Sequence, residues 1–211
     1  MITNSRQQQI YTAIFSAMIT NNALSLPLHI GKLCNRLGIE LCPLSDIIAD
    51  TGLSKQAVFD IWGNEDGAVM QFDGHSKIAY NDFLSKGRRR FTLCEEISHV
   101  VLRHVEDSRF NAFNQSYGSR IYREYEEEAR IGAGLLLCQP QYFFLHRDLL
   151  TPSSVSYLCD ITNKCAEVRC DVLSRFEASI KSNSLFHLLP QPRILRKIEP
   201  LEWNAEIGFC S

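Results

Sequence analysis

What the chain lacks narrows it first. None of its eight cysteines, at 34, 42, 94, 138, 159, 165, 170 and 210, stands in a C-x-x-C pair. The N-terminus MITNSRQQQIYTAIFS lacks the basic start, apolar run and cleavage site of a secretory signal. A disulfide framework is therefore not expected, and the cysteines read as reduced thiols in a cytoplasmic protein. Several fall at apolar-periodic positions, where free cysteine behaves as a small hydrophobe. No stretch approaches the roughly 18 consecutive apolar residues of a membrane span. Neither sign of charge dominates: 22 Lys and Arg face 24 Asp and Glu, for a net charge of -2. A protein that grips nucleic acid usually shows a basic face, so direct nucleic-acid binding is not expected.

What is present suits one sizeable core. The 211 residues are 45% hydrophobic and 22% charged, enough for a globular unit with a small appended lobe. Ile10, Ile14, Phe15 and Met18 lie near helical spacing, and Ile30, Leu33, Cys34 and Leu37 repeat the pattern before Gly38, a helix-terminating glycine. Residues 39–42, IELC, read as a strand. In IADTGLSKQAV, Gly52-Leu53-Ser54 resembles the turn of a helix-turn-helix motif. From Ala49 to Gly52 there are three positions where that motif uses about four, so two short helices joined by a glycine turn are preferred. GAVMQFDGHSKIAY, 67–80, reads as two strands around Asp73-Gly74, with His75 exposed at the turn. A basic run, Lys86 to Arg90, precedes a helix. A second long helix is expected over 119–138 and a helical region over 153–180. The tail from 184 should be irregular.

The stretch that carries chemistry is RFTLCEEISHVVLRH, Arg90 to His104. Residues four apart share a helix face, so Glu95 and His99 can point at one atom. Glu96 would flank them, as the general base does in metallopeptidases. A third ligand would come from the next helix, where Glu124, Glu126, Glu127 and Glu128 cluster. A blander account stands beside this one. Thr92-Leu93-Cys94-Glu95 fits a capping box at a helix start. His99 and His104 would then edge a core, and the glutamates would form a solvated face.

Joint order and spacing favour the first account, because the chain resembles the ImmA/IrrE family of zincin-like metallopeptidases. The family's active-site helix resembles RFT-(I/L)-A-H-E-L-G-H, followed by a hydrophobic residue and L-x-H, and Arg90 to His104 match it. Its second helix resembles E-x-E-A-(N/D)-x-F-A-x-x-L-L-M-P, matched by Glu126-Glu127-Glu128-Ala129-Arg130-Ile131-Gly132-Ala133 and Leu136-Leu137-Cys138. Glu65-Asp66-Gly67, Tyr80-Asn81 and Ile161-Thr162-x-x-Cys165-Ala166-x-x-Arg169 extend the likeness to members from phages and mobile elements. The resemblance implies an α+β fold, mainly helical, with a small antiparallel sheet packed on the active-site helix. It implies a zincin-like domain over 1–150 and a helical extension with an irregular tail over 151–211.

The resemblance assigns Glu96 as general base, and His99 and Glu126 as the second and third zinc ligands. Glu95 stands where the first ligand histidine belongs, and Arg130 stands where the family has Asn or Asp, an acceptor for that histidine's ring N–H. Both members of one pair have changed. A carboxylate withdrawn from water needs a partner, and Arg130 can supply a charge-assisted one. An ion pair between Glu95 and Arg130, within about 4 Å, is therefore expected. Ser98 replaces a glycine, and Gly132 replaces a phenylalanine. The latter should loosen its helix, at ~1 kcal/mol in propensity.

The expected protein is thus a pseudo-peptidase or weakly active variant that acts on or binds a helix-turn-helix transcriptional repressor of a phage or mobile element. Zinc would bind weakly or not at all. The alternative is an active zinc endopeptidase, an anti-repressor with Glu95, His99 and Glu126 as ligands. A membrane partner is not expected, and contact with DNA through Lys55 or Arg88 to Arg90 is an outsider.

Overall fold

The computed structural model describes residues 2–72, 74–107 and 120–195. Helix α1, Asn4–Thr20, begins where the Thr3 hydroxyl accepts the Arg6 amide at 3.2 Å, satisfying an orphan donor of the first turn. It buries Ile10, Tyr11, Ile14, Phe15 and Met18. A short strand β1, Ser25–Leu26, leads to helix α2, Ile30–Leu37, which stops at Gly38 with φ +68°. Glycine takes that left-handed conformation without the steric cost a side chain brings.

The sheet is mixed. Strand β2, Ile39–Pro43, is followed by helices α3, Leu44–Thr51, and α4, Lys55–Trp62, then by the hairpin strands β3, Gly67–Phe72, and β4, His75–Tyr80. β3 and β4 pair antiparallel, with Gly74 in the turn at φ +79°. Asp73, the other residue of the expected turn, lies outside the described residues. His75 is exposed. β2 joins the far side of β4 in parallel, Ile39 opposite Ser76 and Pro43 opposite Tyr80. A parallel neighbour needs a long crossover, and α3 and α4 provide it.

Alternation along the strands divides the sheet between two cores. Ala68 and Ala79 face α3 and α4, where Leu44, Val58, Phe59 and Trp62 form a small cluster. Val69, Ile78 and Tyr80 face the main core. The glycine turn between α3 and α4, Gly52 at φ +68° followed by the Ser54 cap, therefore serves a helix pair that covers one sheet face.

On the opposite face lies helix α5, Lys86–Val101, and helix α6, Arg120–Leu137, packs on α5. Helices α7, Pro140–Leu145, α8, Pro152–Cys159, and α9, Asn163–Lys181, complete the bundle. The helical region expected over 153–180 is interrupted at Asp160, φ +56°, and restarts at the Thr162 cap. The main core runs across residue 150: Val155, Cys159, Ala166, Leu173 and Ile180 join Ile10 and Phe15 in one cluster. The tail is not wholly irregular. Phe186 and Leu189 are buried, and strand β5, Arg193–Ile194, pairs in parallel with β1. The tail beyond 195 lies outside the described residues. Among those described, no helix is long and apolar enough to cross a membrane.

The alternative capping box and the expected loosening at Gly132 both need correcting. Ser85 caps α5, so Thr92 and Glu95 lie well inside the helix and form no capping box. Nor does Gly132 loosen α6. A Cβ at 132 would come within 2.6 Å of Ser98 Oγ and 2.8 Å of Ser98 Cβ. Ser98 on α5 occupies the space that the absent side chain of Gly132 on α6 leaves.

Candidate metallopeptidase-like site

The start of α5 is basic, yet its cations have internal partners. Lys86 pairs with Asp160 at 2.7 Å, Arg88 donates to Asp66 at 2.9 Å, and Arg89 to the Asp82 carbonyl at 2.8 Å. Arg90 is fully buried and donates to the Leu28 carbonyl at 3.0 Å. The next two turns of α5 turn Glu95, Glu96 and His99 toward a cleft of about 570 Å³, walled by β3 and by Tyr122, Glu126 and Arg130 of α6. All five residues singled out from the sequence, Glu95, Glu96, His99, Glu126 and Arg130, line this one cleft.

Arg130 spans its two outer carboxylates. Nε donates to Glu95 Oε1 at 3.1 Å, and Nη2 lies 3.6 Å from Glu126 Oε2. The Glu95 side chain is only 17% exposed. Burial pushes its carboxyl up to about 7, helped by the charge of Glu126 and opposed by Arg130. Burial also drives Glu96 well above the usual carboxylate range, with Glu95 and Glu126 adding in the same direction. A hydrogen bond from the Val69 backbone opposes this rise without cancelling it. Burial pushes Glu126 upward too, but the neighbouring His99 ring, the Tyr122 hydroxyl and the charge of Arg130 leave it below its ordinary value.

Behind the cleft runs a second set of contacts that the sequence reading did not anticipate. His99 is 1% exposed and His104 2%. Their Nδ1 atoms lie 3.0 Å apart, and His104 Nε2 lies 2.9 Å from Glu128 Oε2. Glu128 is gripped on its other side by Arg6 of α1, Nε to Oε1 at 2.7 Å and Nη2 to Oε2 at 2.6 Å. Burial lowers the His104 pKa, and Arg6 and His104 together outweigh burial to hold Glu128 down at about 2. Glu128 is thus an anion, able only to accept, so His104 places its proton on Nε2. Neutral His104 then accepts at Nδ1 from His99 Nδ1–H. His99 Nε2 is left facing the cleft, 3.5 Å from Glu126 Oε1. Tyr125 stacks on His104 at 4.2 Å between ring centroids and donates to Asp107 at 2.6 Å, which fixes the ring plane.

These residues bear unequally on a metal. An imidazole whose remote nitrogen is fixed by a hydrogen bond is what a metal ligand needs, and His99 with Glu126 meets that need. Glu95 does not. Its carboxylate is engaged by a guanidinium that also reaches Glu126, so a cation already sits beside both outer carboxylates. A dication there would face that charge at short range. Among the described residues, no three His, Cys, Asp or Glu side chains are arranged to hold a metal ion. Of the donors that the resemblance implies, His99 and Glu126 suit a zinc ion, and the Arg130 guanidinium beside Glu95 is the feature at odds with the third.

Glu128 and His104 had a sequence signal: both occupy written positions of the two motifs, the second glutamate of E-x-E-A and the closing histidine of L-x-H. Arg6 had none, being 122 residues from its partner. In comparison with known families, the model described as the IrrE N-terminal-like domain of the M78 peptidases matches residues 34–181. A search of the curated proteins finds no match.

Proposed function

The chain belongs to the IrrE N-terminal-like family of M78 peptidases, and from that premise we propose that it is a pseudo-peptidase, or a weakly active variant, which binds a protein partner rather than cutting it efficiently. The observation that carries this reading is the 3.1 Å contact from Arg130 Nε to Glu95 Oε1. It neutralises the position of the first ligand with a cation from the protein itself, so the cleft keeps its walls without needing a metal. β3 forms one of those walls and is an edge strand of its sheet, ordered β2-β4-β3. An extended segment can add to such an edge through main-chain hydrogen bonds. By the resemblance to phage and mobile-element members, the partner is a helix-turn-helix transcriptional repressor, met in the cytoplasm.

Metal analysis of purified protein tests the reading. Zinc well below one equivalent is expected in the unmodified chain, with occupancy rising in the double variant Glu95→His, Arg130→Asn. Full occupancy in the unmodified chain would instead support the active endopeptidase, with Glu95, His99 and Glu126 as ligands and Glu96 as base. The tautomer imposed on His99 favours that second reading. Arg130 stands against it, since it would have to leave both carboxylates.

A further inference from the structure

A second cavity, of about 460 Å³, lies among α1, α6 and α9, and Glu127 and Arg130 line both it and the cleft. Its walls are mostly apolar, with Ile131, Leu173, Phe176 and Ile180 prominent among them. Into this setting α9 brings Arg169. Its guanidinium rests directly on α6 at Gly134, where an added Cβ would stand 1.9 Å from Nη1. Glycine is therefore required at 134 for the arginine to occupy this place. Among the described residues Arg169 has no hydrogen-bond or ion-pair partner, and its Nε is buried without one. Arg90, fully buried, reaches the Leu28 carbonyl with Nη2, Arg6 reaches Glu128, and the exposed Arg130 reaches Glu95.

A cation beside an apolar cavity, without an anion of its own, is costly unless a ligand completes it. The planar fork of a guanidinium matches a carboxylate in two parallel hydrogen bonds. Glu127 on the same wall disfavours a dianion such as phosphate. The volume falls within the usual span for small-ligand pockets, roughly 300–1,000 Å³. We propose that this cavity binds a monocarboxylate with an unbranched apolar chain of medium length, its carboxylate on Arg169 and its chain along Ile131, Leu173, Phe176 and Ile180. The site is independent of the metal-poor reading of the cleft, and its test uses neither metal nor peptide.

Calorimetric titration of the full chain with decanoate, decanol and butyrate makes the test. Saturable one-to-one binding of decanoate is expected, at least tenfold tighter than decanol, which lacks the charge, and than butyrate, which lacks the chain. Arg169→Met keeps the stem and removes the charge, and should weaken decanoate at least tenfold while leaving decanol unchanged. Gly134→Ala should weaken it comparably by displacing the guanidinium. Absence of saturable decanoate binding, or decanol binding as tightly, overturns the proposal using the unmodified protein alone. Undiminished affinity in a folded Arg169→Met variant overturns it as well.

Discussion

The inner and outer halves of the site obey different physics. In the inner half, from Arg6 through Glu128 and His104 to His99, each polar group meets a partner of opposite need at 2.6–3.0 Å, and the histidines are almost wholly buried. In the outer half, two carboxylates share one arginine that is 61% exposed, at 3.1 and 3.6 Å. The inner contacts are geometrically specific: change one member and another is left unsatisfied away from water. The outer contacts are electrostatic and forgiving, because Glu95 can take up a proton and Arg130 can turn to solvent. Glu95, which by the resemblance stands in place of a ligand histidine, should therefore be more tolerant of change than His104 or Glu128.

The largest expected effect follows from the inner half. Glu128→Ala removes the acceptor from both Arg6 and His104, leaving a buried donor and a partly buried cation. Loss of one partner from a buried pair costs about 3–5 kcal/mol, and Arg6, at 38% exposed, places this case near the lower end. A loss of about 3 kcal/mol corresponds to a fall in Tm of roughly 6–12 °C for a chain of this size. Thermal unfolding followed by circular dichroism checks it. A fall of only a degree or two would mean that the inner half is no more specific than the outer.

The comparison also explains what could be read from the sequence. Repeats of apolar residues placed α1 and α2, a tight-turn dipeptide placed the β3–β4 hairpin, and i to i+4 spacing put Glu95 and His99 on one helix face. Local patterns govern all three. The start of α5 was placed too late because the basic run Lys86 to Arg90 reads as preceding the helix, whereas it forms the first turns of α5 and its last member is fully buried. Departures at 98 and 132 looked independent because their meeting occurs only across the α5–α6 interface. Arg6, on α1, could not be linked to Glu128 by any local rule, and nothing along α9 reveals that Arg169 rests on Gly134. Glu95 and Arg130 were easier to connect, since the family pattern pairs those two positions and both had changed.

An intermediate effect is expected where the two halves share their scaffold. Gly132→Ala forces a methyl to within 2.6 Å of Ser98 Oγ, beside Ile14 Cδ1 at 3.0 Å. Overpacking of this kind costs about 1–3 kcal/mol, and about 2 kcal/mol is expected by urea denaturation. Ser98→Gly alone loses the hydroxyl's 2.7 Å bond to the Cys94 carbonyl and some helix propensity, about 1 kcal/mol together. Combining the two should recover at least half of the Gly132→Ala loss, because the glycine makes room for the methyl. Simple additivity in that double-mutant cycle would refute the compensation.

The smallest expected effect on stability belongs to Arg130, the residue on which the proposed function rests. Arg130→Ala breaks the contact to Glu95 and the longer one to Glu126, but the arginine is mostly exposed, and exposed pairs contribute about 0–1 kcal/mol. Glu95, already pushed to about 7, answers the loss by holding its proton. Tm should therefore move by no more than about 4 °C. Zinc occupancy should nevertheless rise above that of the unmodified chain, since the cation that stands beside Glu95 and Glu126 is gone while His99 keeps its tautomer. Glu128→Ala should do the reverse, lowering stability while leaving Arg130 in place and occupancy low. If Arg130→Ala instead unfolds the protein as readily as Glu128→Ala does, the outer pair is a structural strut. The contrast between the two halves, and the reading of Arg130 as the group that keeps a metal out, would then both fail.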